Sequence, residues 1–386
     1  MVTKYEQLTP VLFGEGALGM LGEKAKEFGC KKVLFVYDSG VGAAGIAPKA
    51  EAVMKEAGID FVVFDKVQAD PSDLVVDECK ALAAAEGIDG IVGIGGGSSM
   101  DCAKATSVML DKPNPMHDYY TDPPTFFPLC VPLILIPTTA GTGSECTHVA
   151  VITDSVGGGK AGVFLKASLA IIDPELTYTA PPTVTANTGL DAFCHAAEAI
   201  TSKGWNLHSE VLATDAIRRI VKYLPIAVKD GTNVEARRNM SFAANIAGIA
   251  FADTMCHLGH CLADGLSALY HTAHGYNCIV CNAEMLRVEA QAAADKVQLV
   301  GEAMGLSFTG KETPEEIGDM VADAVRKLMR ECGVKSLKET GLTREQVVAC
   351  TDTCMRLNLG LQMFSPVTPT PELVADIYGK CFDNYQ

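Results

Sequence analysis

Up to about residue 180 this chain alternates short β-branched runs with helical stretches, and beyond that point almost every segment has helical periodicity alone. The runs are KKVLFVYD ending at Asp38, DFVVFD ending at Asp65, GIDGIVGIGGGS, LCVPLILIPTT, VAVITD and SLAIIDP ending at Asp173. Helical stretches such as APKAEAVMKEAG and PSDLVVDECKALAAAEG separate them. Strands alternating with helices predict a parallel sheet covered on both faces. Uninterrupted apolar strands fit that burial. Pro174, Pro181 and Pro182 then punctuate the chain. GLDAFCHAAEAIT, LATDAIRRIVKYL, EARRNMSFAANIAGIAFADTM and TPEEIGDMVADAVRKLMREC follow, all of helical character. At 386 residues the chain is too long for one ordinary core. The expectation is an α/β domain over 1–180 and an all-α domain over 181–386.

A formal charge of -16 argues against nucleic acid or an anionic membrane as partner. The longest apolar runs, VPLILIP and NIAGIAFA, are far too short to span a bilayer. MVTKYEQLTPVLFGEG lacks the charged-then-apolar order of a secretion signal, which predicts a cytoplasmic protein. The 14 cysteines are scattered through apolar stretches and read as reduced, buried, small hydrophobes. Cys278 and Cys281 have CxxC spacing, but no second pair completes a zinc clip; core packing is the main reading for them and a redox or metal role the minor one.

Gly95, Gly96, Gly97 and Ser98 follow an apolar strand and open the helix SSMDCAKATSVML. Glycine permits close backbone approach, and a helix N-terminus presents unpaired N–H groups to an anion. This favours phosphate binding in a Rossmann-like, dinucleotide-binding domain. A second polar loop, IPTTAGTGSE, carries Thr138, Thr139, Thr142 and Ser144. Both loops fall at strand C-termini, where open α/β sheets bind ligands. Asp38 also ends a strand, where a carboxylate accepts from ribose hydroxyls and favours NAD over NADP; a plain turn aspartate is the equal alternative.

In the second half, Asp191 and His195 stand four residues apart, on one face of a helix. MCHLGHCLADG contributes His257 or His260, and YHTAHGYNC contributes His271 or His274; spacing alone nominates either member of each pair. Three imidazoles and a carboxylate suit a divalent first-row metal better than magnesium or calcium. In one straight helix, His260 and His274 would lie about 21 Å apart. The helix bearing His260 is therefore expected to break before His274, within the stretch that begins at Asp264 and Gly265.

Taken together, GGGSSMDCAK at 95–104, PTTAGTGSE at 137–145, DPELT at 173–177, TGLDAFCHAAEA at 188–199, His260 and the HG at 274–275 resemble the iron-dependent (group III) alcohol dehydrogenase family. The resemblance implies a dehydroquinate-synthase-like architecture, with an active site in the cleft between a nucleotide domain and a helical metal domain. It implies Asp191, His195, His260 and His274 as metal ligands. It implies Gly96, Gly97 and Ser98 at the pyrophosphate, Thr138, Thr139 and Thr142 along the cofactor, and Lys160 at the nicotinamide ribose. NAD(H) and Fe²⁺, with Zn²⁺ or Mn²⁺ as alternatives, are the implied cofactors. Self-association as a homodimer or larger homo-oligomer is implied as well.

One position departs from the family pattern. Members usually carry a further histidine four residues after the third ligand, and here that residue is Asp264. Asp264 and His271 are therefore the candidates for the proton relay, with His148 unplaced. The expected activity is hydride transfer between NAD(H) and a small primary alcohol or aldehyde, as an aldehyde reductase. The alternatives are an NAD- and metal-using lyase of the dehydroquinate-synthase kind, and a non-catalytic nucleotide- and metal-binding protein.

Overall fold

The computed structural model describes residues 2–120, 125–270, 272–357 and 359–385. They form two compact units. One holds Gln7–Thr139 and Gly143–Ala180; the other holds the N-terminal residues up to Glu6, Ala140–Thr142 and everything from Pro181 onward.

The first unit is α/β. Its strands are β1 (Val11–Phe13), β2 (Lys32–Asp38), β3 (Asp60–Val67), β4 (Gly90–Gly95), β5 (Leu133–Pro137), β6 (Val149–Thr153), β7 (Lys160–Phe164) and β8 (Leu169–Ile172). Six of them make one parallel sheet in the order β1-β8-β5-β4-β2-β3. Central β4 and β5 are buried at every residue, because helices cover both faces. Gly93 faces the helix Gly97–Met109, and a Cβ there would stand 2.7 Å from that of Ala103. The β4/β5 register sets Gly95 opposite Pro137, so the glycine turn and the start of the threonine loop leave the sheet side by side.

VAVITD was expected within the parallel alternation and lies elsewhere. It forms β6, which pairs antiparallel with β7 as a separate two-stranded ribbon. Its burial alternates, as suits a ribbon with one covered face. Asp154 closes the intervening turn by accepting from the amides of Val156 and Gly157, both at 2.9 Å.

The second unit is helical. The helix Pro182–Thr201 is its centre: Leu190, Phe193, Ala196, Ala197 and Ile200 have no exposed surface. A helix apolar on nearly all sides belongs inside a bundle, and Pro182 starts it where a missing N–H costs nothing. Around it pack Leu207–Lys229, Val234–Thr254, Leu258–Tyr270 and His274–Ala303. The chain turns through 104° between Val234–Thr254 and Leu258–Tyr270. Met255 sits in that corner at φ 67°, ψ 147°, a conformation that side chains avoid.

The helix bearing His260 ends at Tyr270 and the next begins at His274. Gly265 does not mark the break. It lies inside the helix, where its missing Cβ admits Tyr378, whose hydroxyl donates to the Leu262 carbonyl at 2.7 Å. No disulfide joins any of the 14 cysteines among the described residues, and Cys130 alone of them is not buried. Among the described residues no single helix is long and apolar enough to cross a membrane.

Candidate active site

In the α/β unit, Gly95 takes φ 149°, and a Cβ on it would lie 2.7 Å from Ser99. Only glycine fits this turn. Gly96 caps the helix Gly97–Met109 in extended conformation, and Ser98 follows in its first turn. A Cβ on Gly96 would meet nothing nearer than Thr139 Oγ1 at 3.6 Å, so space stays open above the helix N-terminus. The amide of Thr138 donates to the Gly95 carbonyl at 2.9 Å and ties the two loops together. Asp38 uses one carboxylate oxygen to accept from the amides of Gly40 and Val41, and the other to accept from Ser99 Oγ at 3.1 Å. It is thus a turn aspartate and also a carboxylate at the edge of the glycine loop. Thr142 falls with the helical unit, unlike Thr138 and Thr139.

Lys160 begins β7 and pairs with Asp70 at 3.2 Å. Beneath the glycine loop, Lys104 is fully buried. It donates to Ser144 Oγ, Thr147 Oγ1 and the Val149 carbonyl at 2.8 to 3.0 Å. Burial pushes its amine down, against the pull of Asp101 and Glu145. His148 lies in an aromatic nest, its ring centre 5.5 Å from that of Phe126 and 5.6 Å from that of Phe164. Burial, with Lys104 adding to it, lowers its imidazole to about 4.

In the helical unit, three imidazoles converge on one carboxylate oxygen. Asp191 Oδ1 lies 3.9 Å from His195 Nε2, 3.9 Å from His260 Nε2 and 3.8 Å from His274 Nε2. Ligands each about 2.0–2.1 Å from a shared cation stand at most about 4.2 Å apart, so all three distances fit one ion. Asp191 Oδ1 and His260 Nε2 are buried without a hydrogen-bond partner among the described residues. Buried polar atoms are rarely left so, and a cation would satisfy both. Burial drives the Asp191 carboxyl up, but His195, His274 and His260 together outweigh it and hold it below the usual range. Burial lowers His195 to about 4, against Asp191, which keeps the ring in the neutral form that ligates. Phe251 stacks on His195 at 4.1 Å and fixes its plane.

Of two further residues in this cluster, the sequence reading misses Glu198 and assigns Cys278 mainly to core packing. Glu198 lies one turn beyond His195 on the same helix, and its Oε1 accepts from His260 Nδ1 at 2.6 Å. Burial would raise its carboxyl, yet His260 and His257 hold it at about 2. Gly259 makes room for it, since a Cβ there would lie 2.6 Å from Glu198 Oε1. Cys278 stands 3.5 Å from His274 Nε2, and its thiol groups with Asp191, His260 and His274. The signal available in sequence was helical spacing from a ligand candidate: i, i+3 from His195 for Glu198 and i, i+4 from His274 for Cys278.

His257 is not grouped with the ligand candidates; it touches the cluster through Glu198, to whose Oε2 its backbone amide donates. Its Nε2 is 3.0 Å from Thr201 Oγ1, and its Nδ1 is 3.2 Å from Glu289 Oε1. Asp264 Oδ1 is 4.0 Å from His274 Nδ1. His271 lies outside the described residues. Gly275 lets the His274–Ala303 helix press against Pro182–Thr201; a Cβ there would strike the Asn187 carbonyl and sit 3.0 Å from Asp191 Cβ.

Known proteins similar to this chain show its family. The family described as iron-containing alcohol dehydrogenase matches residues 9–174, and the C-terminal region of the Fe-containing alcohol dehydrogenase family matches 185–382. The chain is 34% identical over 386 residues to the choline dehydrogenase of Bacillus subtilis (strain 168), covering 98% of this chain and 95% of that protein. It is 33% identical over 360 residues to the NAD-dependent methanol dehydrogenase of Bacillus methanolicus, covering 90% and 93%. Its fold matches the crystal structure of sulfoacetaldehyde reductase from Bifidobacterium kashiwanohense in complex with NAD⁺ at TM-score 0.87 and 30% identity, covering 98% of each chain. The chain belongs to the iron-containing alcohol dehydrogenase family, whose members are NAD(H)- and metal-dependent oxidoreductases of alcohols and aldehydes.

Proposed function

We propose that the chain is an NADH-dependent reductase of small aldehydes, and that Asp191, His195, His260 and His274 hold its divalent metal, iron by preference with zinc or manganese as alternatives. The observation that carries the reading is Asp191 Oδ1, buried, unpaired and ringed by three imidazole nitrogens within 3.9 Å. When bound, the cation supplies Lewis acidity toward the substrate oxygen and the nicotinamide supplies the hydride.

The chain's own residues do the rest. Gly95, Gly96, Gly97 and Ser98 present backbone N–H groups to the pyrophosphate. Thr138, Thr139 and Thr142 line the cofactor, and Lys160 holds the nicotinamide ribose. Asp38 accepts from the adenosine ribose and repels a 2′-phosphate. Phe251 and Glu198 hold the imidazoles in orientation. Asp264 faces the outer nitrogen of His274 and, with His271, is the assigned path for the substrate proton. The similar proteins named above act on a cation, a neutral alcohol and an anion, so the proposal is made for small primary alcohols and aldehydes as a class. The reading also places the protein in the cytoplasm, where thiols outside disulfides stay reduced, as a homodimer or larger homo-oligomer.

The test is His260→Ala. The variant is expected to lose bound metal and NADH oxidation across a panel of short aldehydes, while NADH still binds. Full turnover in that variant would remove the metal from the reaction.

A further inference from the structure

We propose that Cys278 is a conditional fifth donor at this centre: its thiolate ligates a thiophilic ion such as Zn²⁺ or Co²⁺ and stays out of the shell of a hard ion such as Mn²⁺. This rests on the reading that Asp191, His195, His260 and His274 form the metal site, and it goes beyond that reading.

The argument starts from helix geometry. Asp191 and His195 lie one turn apart on Pro182–Thr201, and His274 and Cys278 lie one turn apart on His274–Ala303. Residues at i and i+4 share a face. Each of the two helices therefore presents a pair of donor-bearing side chains to the same point, and His260 completes the set from Leu258–Tyr270.

Distances agree with the topology. The donor atoms of Asp191, His260, His274 and Cys278 all lie within 4.8 Å of one another. Cys278 Sγ stands 3.5 Å from His274 Nε2. A sulfur about 2.3 Å and a nitrogen about 2.0–2.1 Å from one ion, at the 90–120° between neighbours in a five-donor shell, stand about 3.1–3.8 Å apart. Cys278 is 1% exposed, so the thiol has no role at the surface. The unpartnered, buried Asp191 Oδ1 and His260 Nε2 point to an ion at the same place. Thiolates select soft or borderline ions, whereas carboxylates and water suit manganese. Cys256 is the control within the structure. It groups with His195 and His260, but not with Asp191 or His274.

The test is replacement of the metal by cobalt(II), read by absorption rather than turnover. Wild-type protein loaded with Co²⁺ is expected to show a thiolate-to-cobalt charge-transfer band in the near ultraviolet, together with visible ligand-field bands. Cys278→Ser should keep the visible bands and lose the charge-transfer band; Cys256→Ser should keep both. Competition should show the preference for Zn²⁺ over Mn²⁺ falling on the order of tenfold or more in Cys278→Ser. Visible bands without charge transfer in the wild type would overturn the proposal and leave the histidine–aspartate site standing. A charge-transfer band that vanishes in Cys256→Ser instead would also overturn it. Cobalt spectra unchanged by His260→Ala would overturn both readings.

Discussion

Glu198 Oε1 stands 2.6 Å from His260 Nδ1, and because a carboxylate only accepts, it fixes the proton on that nitrogen and leaves Nε2 free to face Asp191. A carboxylate behind a ligating imidazole raises its basicity and holds its plane. Glu198→Gln preserves volume and removes the charge. Metal affinity should fall about 10- to 100-fold, read by titration with a chromophoric chelator, while NADH binding is unchanged. Wild-type metal affinity in the variant would show that Glu198 has only a packing role.

Removing the metal should lower stability. An ion that binds only the folded chain adds about 2.7 kcal/mol at 100 times its dissociation constant. The melting temperature should fall after chelation and recover when Fe²⁺ or Zn²⁺ is returned. In Asp191→Asn the shift should be much smaller. Equal melting curves with and without metal, in a protein shown to bind it, would contradict this.

His148 gives a pH dependence of known sign. Its pKa is lowered from 6.5 to about 4, first by burial and then by Lys104. Above pH 6.5 the ring is neutral in the folded and unfolded chains, and folding does not depend on it. As pH falls from 6.5 towards 4, the unfolded chain takes up a proton that the folded one refuses, so stability drops. The size is about 2–3 kcal/mol by pH 4.5. His148→Phe, suited to a nest already holding Phe126 and Phe164, should lose that part of the acid sensitivity. Urea midpoints at pH 7 and pH 4.5 for both proteins measure it; identical shifts would refute it.

Asp38 should set the choice of dinucleotide. Asp38→Ser keeps a side-chain acceptor for the Gly40 amide and removes the charge. Use of NADPH relative to NADH should rise by about tenfold or more, equivalent to about 1.4 kcal/mol. An unchanged ratio of kcat/KM values would leave Asp38 with its turn role alone.

The parallel sheet was readable because its strands are uninterrupted apolar runs, and the helical half because its period persists after Pro182. β6 was placed wrongly within the sheet. A short β-branched run reads alike in a central strand and in a ribbon, and only its alternating burial separates them. β1, at three residues, is too short to leave a pattern. Asp191 and His195 announced themselves as polar residues in an apolar helix. Glu198 did not, since one more acid along a helix ordinarily faces water. Cys278 was masked by its CxxC spacing to Cys281, which drew attention from its relation to His274. What sequence cannot display is that Gly259 and Gly275 let backbones close to contact distance, and the ligand cluster depends on that closeness.

The corner at Met255 carries a cost of its own. A side chain held at φ 67°, ψ 147° forfeits on the order of 1–3 kcal/mol. The helix carrying His260 is thus aimed by a bent spring, compressed by the packing on either side. Met255→Gly would relax the spring and loosen the aim, so this corner is where the fold exchanges ease of folding for accuracy in placing His260.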